Sequence, residues 1–163
     1  MSFYGHGQFP NTRLRRLRTQ PWLREMVQEN RLHPSDLILP LFIRTPQGPA
    51  EIASMPGVRR WTIEELPKVI EQAVELGIPA VDLFPLTPQE LKTPDGEEAF
   101  NPENLICQAI RVIKKMTTQL GVITDVALDP YTSHGHDGVW NGNTVDNDLT
   151  IGQLVKQSLV QAE

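Results

Sequence analysis

Sulfur chemistry is nearly missing from this 163-residue chain, which has one cysteine, Cys107. A single thiol allows no intrachain disulfide and no cysteine-built zinc site, and such usage fits a reducing, cytoplasmic compartment. Long hydrophobic runs are missing too: none approaches the roughly 18–20 residues that cross a bilayer, so no transmembrane helix and no membrane partner are expected. The polar, glycine-bearing residues 1–12 and the arginine cluster at 13–18 lead into no apolar signal core, which argues against secretion. The first strand-to-helix turn has no Gly-x-Gly-x-x-Gly, and Gly-Lys-Ser/Thr occurs nowhere, so the phosphate cradles of nucleotide-binding folds are absent.

What is present is an ordinary soluble composition, 39% hydrophobic and 21% charged, sufficient for one core. The charge is unevenly spread. Residues 1–31 hold six arginines against Glu25 and Glu29, whereas residues 32–163 hold nine Lys or Arg against eighteen Asp or Glu. This divides the chain into an N-terminal arm, 1–34, and an acidic body, 35–163. A basic arm binds nucleic acid or phosphate, or grips the acidic surface of another copy of the chain. Leu14, Leu17, Trp22, Leu23 and Met26, interleaved with the arginines, need an apolar partner as well, which favours self-association and no nucleic acid; a disordered tail is the other alternative.

The body alternates between two periodicities. Asp36-Leu37-Ile38-Leu39-Pro40-Leu41-Phe42-Ile43 predicts a strand buried on both faces, with Pro40 marking a missing ladder bond or a bulge. Thr62-Ile63-Glu64-Glu65 is a capping box, so a helix is expected from there through Leu76, stopped by Gly77-Ile78-Pro79. Residues 80–86 read as a second buried strand. Asn101-Pro102 reads as an N-cap and first helical position of a helix ending near Lys114-Lys115, whose charges suit the helix C-terminus. Residues 121–128 read as a third strand and 150–163 as a third helix. Strand and helix in alternation predict a parallel α/β sheet, either open and doubly wound or part of an eightfold barrel. The pattern is still helical at Gln161-Ala162-Glu163, which reads as a cut chain, the alternative being a native chain that ends in a helix.

The densest polar cluster follows the third strand: Asp125, Asp129, Thr132, Ser133, His134, His136 and Asp137, among prolines and glycines. The carboxyl ends of parallel strands are where α/β proteins bind ligands. His134-Gly135-His136 allows two imidazoles on one side of an extended segment, with Asp129 and Asp137 completing a cation site; the alternative is a loop whose polar groups bond its own turns. A Ser133–His134 triad with Asp125 or Asp137 lacks the Gly-x-Ser-x-Gly elbow. Cys107 lies among apolar helical neighbours and reads as a packed thiol. Asp82 in the second strand points into a barrel or bonds a loop.

Several segments together resemble the delta-aminolevulinic acid dehydratase family, also called porphobilinogen synthase. They are Arg13-Leu14-Arg15-Arg16-Leu17-Arg18, Asp36-Leu37-Ile38-Leu39-Pro40-Leu41-Phe42, Met55-Pro56-Gly57, Gly77-Ile78-Pro79-Ala80-Val81 and, above all, the long run from Thr124 through Asp125 to Gly138. The resemblance implies a partial (βα)8 TIM barrel of about three βα units preceded by an extended N-terminal arm that wraps a neighbouring subunit, usually in a homo-octamer. It implies a lyase, a hydro-lyase that condenses two molecules of 5-aminolevulinate into porphobilinogen for haem and other tetrapyrroles. Asp125 matches an aspartate beside the reacting substrates, and Ser133, His134 and His136 belong to the substrate loop.

Two departures from the family pattern stand out. Zinc-using members carry three cysteines where this chain has Ala127, Asp129 and Asp137. Zinc is therefore not expected, and magnesium or a monovalent cation, with Asp129 and Asp137 as candidate ligands, takes its place, or no metal is needed. The chemistry also requires Schiff-base lysines in a desolvated pocket, and the lysines here, Lys68, Lys92, Lys114, Lys115 and Lys156, fall on predicted helices or in a polar loop. The expectation is a chain inactive alone, the amino-terminal half of such an enzyme. The alternatives are a non-catalytic chain that pairs with full-length subunits, and a cation-binding module on Asp129, His134, His136 and Asp137.

Overall fold

The computed structural model describes Gly7, Gln8 and residues 10–163. The secretion reading rests partly on residues 1–6, which lie outside that set. Two compact units divide the chain, 1–33 and 34–163.

In the first unit a 3-10 turn, Arg16–Arg18, precedes a short helix α1, Pro21–Met26, with proline at its start where a missing N–H matters least. The Arg24 guanidinium donates to Arg18 O at 2.9 Å, tying the two turns together. The arm is therefore partly helical where an extended segment was expected. Leu14, Leu17, Trp22 and Met26 are all exposed.

The second unit is built on a four-stranded parallel sheet in the order β2-β1-β3-β4. Its strands are β1 (Ile38–Ile43), β2 (Arg60–Trp61), β3 (Ala80–Pro85) and β4 (Gly121–Thr124). Helix α2 (Leu66–Glu75) joins β2 to β3, and α3 (Leu105–Met116) joins β3 to β4. Leu41, Ile43, Val81 and Leu83 meet Leu66, Ile70, Ile106 and Ile113 in one core, each of these 2% exposed or less. Burying one such side chain is worth about 1.5–3 kcal/mol. Both connecting helices cover the same face, which is the arrangement of a barrel wall and not of a doubly wound sheet.

That one-sidedness corrects the reading of β1 as buried on both faces. Alternate residues Ile38, Pro40, Phe42, Asp82, Phe84 and Ile123 occupy the other face, where Ile38 is 55% and Ile123 39% exposed. Pro40 causes no bulge, because β1 pairs with β3 in unbroken register from Ile38 to Ile43. Ile43 O accepts from Leu86 N on the β3 side and Arg44 N donates to Trp61 O on the β2 side. By this alternation Pro40 turns its nitrogen toward β2, which pairs only with Phe42 and Ile43 and so asks no hydrogen of it.

Helix boundaries moved for local reasons. Half the capping box forms: the Glu65 carboxylate accepts from Thr62 N at 2.9 Å, but residues 63–65 make a turn and α2 begins at Leu66. That backbone hydrogen bond, with the nearby Arg59, holds the Glu65 carboxyl below its usual value. Gly77, at φ +74°, ends the helix as foreseen, with Ile78 N bonded to Ala73 O and Gly77 N to Val74 O. The cap of α3 is Asn104, three residues beyond the expected Asn101. The Asn104 side chain accepts from Cys107 N at 2.9 Å and donates to Glu98 O and Ala99 O, while Asn101 organises the preceding turn.

The third strand stops at Thr124 and not at Leu128. Beyond it lie a two-stranded antiparallel hairpin, β5 (Val139–Trp140) with β6 (Val145–Asp146), and α4 (Asn147–Ala162), capped by Asp146. The start of α4 is three residues earlier than expected. Its Ile151, Val155 and Leu159 are exposed, and the residues it buries are Thr150 and, fully, Gln157. Cys107 is buried, as a packed thiol should be, and burial pushes it up.

Candidate active site

The sheet delivers two carboxylates to its uncovered face near the carboxyl end of β4. Asp82 pairs in register with Ile123, and Asp125 follows one residue after the strand ends. Asp82 thus points away from the helices, into the would-be barrel, which settles its two readings. Its Oδ1 is buried without a hydrogen-bond partner. Desolvation raises the Asp82 carboxyl, and the Asp125 charge raises it further. Asp125 itself is exposed. Two carboxylates in unlike surroundings are the raw material of acid–base chemistry and a natural seat for an ammonium group.

The polypeptide from 125 to 138 is held by side chains rather than by a ladder. Asp137 Oδ1 accepts from Leu128 N at 2.7 Å. Leu128 and Tyr131 pack with Ala99 in a second small core. Thr93 clamps the loop from the neighbouring connection, its N–H donating to Tyr131 O at 3.2 Å and its carbonyl accepting from Ser133 N at 3.0 Å. Thr132 is wholly buried and donates to His136 O.

The two histidines do not converge as ligands. His134 Nε2 lies 2.9 Å from Pro94 O, which can only accept, and His134 Nδ1 accepts from His136 N at 3.1 Å. Those partners fix the tautomer and occupy both ring nitrogens, leaving none for Ser133 or a metal. His136 instead stacks on Trp140, ring centroids 4.5 Å apart. Ser133 is exposed beside them.

Asp129 and Asp137 act on one another. Desolvation, then the Asp137 charge, raises the Asp129 carboxyl, and Lys92 opposes the shift. Among the described residues no three His, Cys, Asp or Glu side chains gather around one point to hold an ion. A carboxylate pair suits a hard cation that keeps most of its water, and lacks the soft donors of a zinc site.

Sequence reasoning missed two residues that shape this site. Gln157 is 0% exposed, and its Nε2 donates to Ala127 O at 3.1 Å and to Asp125 O at 3.4 Å. One helical turn on, Gln161 Nε2 donates to Asp125 O at 3.2 Å and its Oε1 accepts from Thr124 Oγ1 at 2.9 Å. Their i, i+4 spacing on α4 was the available signal; it was read there only for apolar residues.

A parallel sheet with helices on one face and carboxylates at its strand ends defines the class: part of an α/β barrel with a site at the mouth. The family profile described as delta-aminolevulinic acid dehydratase matches residues 11–163. The delta-aminolevulinic acid dehydratase of Bradyrhizobium diazoefficiens is 50% identical over 152 residues, covering 93% of this chain and 43% of that protein. The Streptomyces coelicolor protein of the same name is 40% identical over 161 residues, covering 97% of this chain and 49% of its own. The crystal structure of the Toxoplasma gondii delta-aminolevulinic acid dehydratase (porphobilinogen synthase), solved with the reaction product porphobilinogen, superimposes with a TM-score of 0.85 at 42% identity over 93% of this chain and 44% of that one. The chain belongs to the delta-aminolevulinic acid dehydratase family, and it spans about half the length of the curated relatives it matches.

Proposed function

We propose that this chain supplies one side of the active site of a porphobilinogen-forming lyase, which condenses two 5-aminolevulinate molecules in tetrapyrrole synthesis. The observation that carries the reading is the placing of Asp125 at the carboxyl end of β4, with Asp82 on the same uncovered face. There the Asp125 carboxylate attracts the substrate ammonium and takes part in proton transfers, with Ser133, His134 and His136 shaping the adjoining loop.

The Schiff-base lysines implied by the family resemblance are, in this reading, not among the five lysines of this chain. Lys68, Lys114, Lys115 and Lys156 are exposed on helices, and half-buried Lys92 sits in the field of Asp129 after the 3-10 turn Gln89–Leu91. The chain alone is then inactive. Asp129 and Asp137 would hold a hydrated magnesium or monovalent ion, which there would neutralise local carboxylate charge.

The exposed Leu14, Trp22 and Met26, beside arginines, favour an arm that covers another copy of the chain, giving a homo-oligomer. Among the described residues no helix is long and apolar enough to cross a membrane.

Binding tests the reading. Titration of 5-aminolevulinate into the chain is expected to shift the NMR carboxyl signals of Asp125 and Asp82, and Asp125→Asn is expected to abolish the Asp82 shift. Unchanged carboxyl signals at saturating ligand would refute it.

A further inference from the structure

Where β4 ends at Thr124, its ladder to β3 ends too, yet the next carbonyls are not left to solvent. Asp125 O receives N–H groups from both Gln157 and Gln161, and Ala127 O receives one from Gln157. Two amides one turn apart on α4 thus take over from the sheet at the residue that carries the candidate carboxylate. Neither amide can turn round. Flipping Gln157 would set its oxygen against two carbonyl oxygens, and flipping Gln161 would set its oxygen against Asp125 O, which can only accept.

The arrangement has a cost. Gln157 Oε1 is buried without a hydrogen-bond partner, in a residue with no exposure at all. An apolar side chain at that place would pack without an orphaned acceptor, so the amide is kept for its N–H groups.

We propose that Gln157 and Gln161 are positioning residues that set where the Asp125 carboxylate stands relative to Asp82. The proposal rests on Asp125 being the substrate-facing group. The groups facing Asp82 are the Asp125 carboxylate from the β4 side and its own neighbouring Leu83 amide, while β1 presents the uncharged Pro40 in register.

The test is an NMR pH titration of the full 163-residue chain labelled with ¹³C at the aspartate and glutamate side-chain carboxyls, Asp82, Asp125 and Glu65 being assigned by their Asn or Gln variants. In the parent, Asp125→Asn is expected to lower the Asp82 midpoint. Gln157→Leu and Gln161→Met, neither of which adds a charge, are each expected to lower it by roughly a few tenths of a unit, as the Asp125 charge moves away, with the Glu65 midpoint unmoved as control. At half-exposed Gln161, Gln161→Met loses the donor to Asp125 without adding a charge, and it decides the matter alone if Gln157→Leu does not fold. Loss of stability with an unmoved Asp82 midpoint would overturn the proposal and leave the glutamines as packing. No response of Asp82 to Asp125→Asn would overturn it as well. If the variants move the Asp82 midpoint but 5-aminolevulinate shifts nothing in the parent, positioning stands and the substrate reading falls.

Discussion

Asp137 was a candidate metal ligand by residue type, and its carboxylate accepts the Leu128 N–H at 2.7 Å. A hydrogen bond to a charged group contributes about 1.5–3 kcal/mol, so Asp137→Ala should destabilise the chain by that order in urea unfolding, and Asp137→Asn by less. Asp129 behaves differently. Its carboxyl is raised above 3.8 by desolvation and by Asp137, so the folded chain holds that proton to higher pH than the unfolded one. Its contribution to stability therefore falls as pH rises from the ordinary aspartate value through the raised one. Asp129→Asn should be increasingly stabilising relative to the parent across that window and level off above it, as read by thermal unfolding at a series of pH values. Cys107 was legible as a packed thiol because its helical neighbours are apolar, whereas the histidine pair was not, since Pro94 O and His136 N take the ring nitrogens of His134. Asn104 was not, since Asn101-Pro102 offers the same local cap signal and only the packing of Ala99 and Ile106 around Asn104 decides between them.

Among the elements, β1, β3 and α2 and α3 were readable from apolar periodicity and from Gly77. The shortened β4 was not, because 125–128 continues an apolar alternation while the carbonyls turn from β3 to the amides of α4. Strands β2 and β5–β6 are two residues each, too short for a period, although Asn141-Gly142 marked the hairpin turn. The hairpin is seated on α4 by Thr150, whose Oγ1 accepts from Val139 N at 2.9 Å and donates to Asp146 O at 2.6 Å. Thr150→Val should leave that amide unpaired and cost about 1–3 kcal/mol, measured by urea unfolding. Gly138, at φ +153°, has no room for a Cβ, which would collide with Val145 and Thr150. Gly138→Ala should therefore loosen the hairpin, seen as faster amide exchange at Val139 and Trp140 with the sheet unaffected.

At the level of the whole molecule, the chain divides into an arginine-rich first unit and an acidic α/β second unit, and the uncovered sheet face departs from the reading of β1, whose residues look apolar throughout, as buried on both faces. Periodicity reports which residues are apolar and not what covers them. Ile123 and Val126 at the β4 edge, with Ile151, Val155 and Leu159 on α4, are exposed, so the isolated chain should self-associate at raised concentration; Ile123→Lys should reduce light scattering without loss of helix. The central claim, that this chain carries the Asp125 side of a porphobilinogen-forming site without its Schiff-base lysines, is tested most directly by activity with covalent trapping. The purified chain would be incubated with 5-aminolevulinate, magnesium and borohydride, read by porphobilinogen formation and intact mass, with the full-length Bradyrhizobium diazoefficiens relative as positive control. The account predicts neither porphobilinogen nor adduct from this chain; turnover with a stable adduct on Lys68, Lys92, Lys114, Lys115 or Lys156 would contradict it.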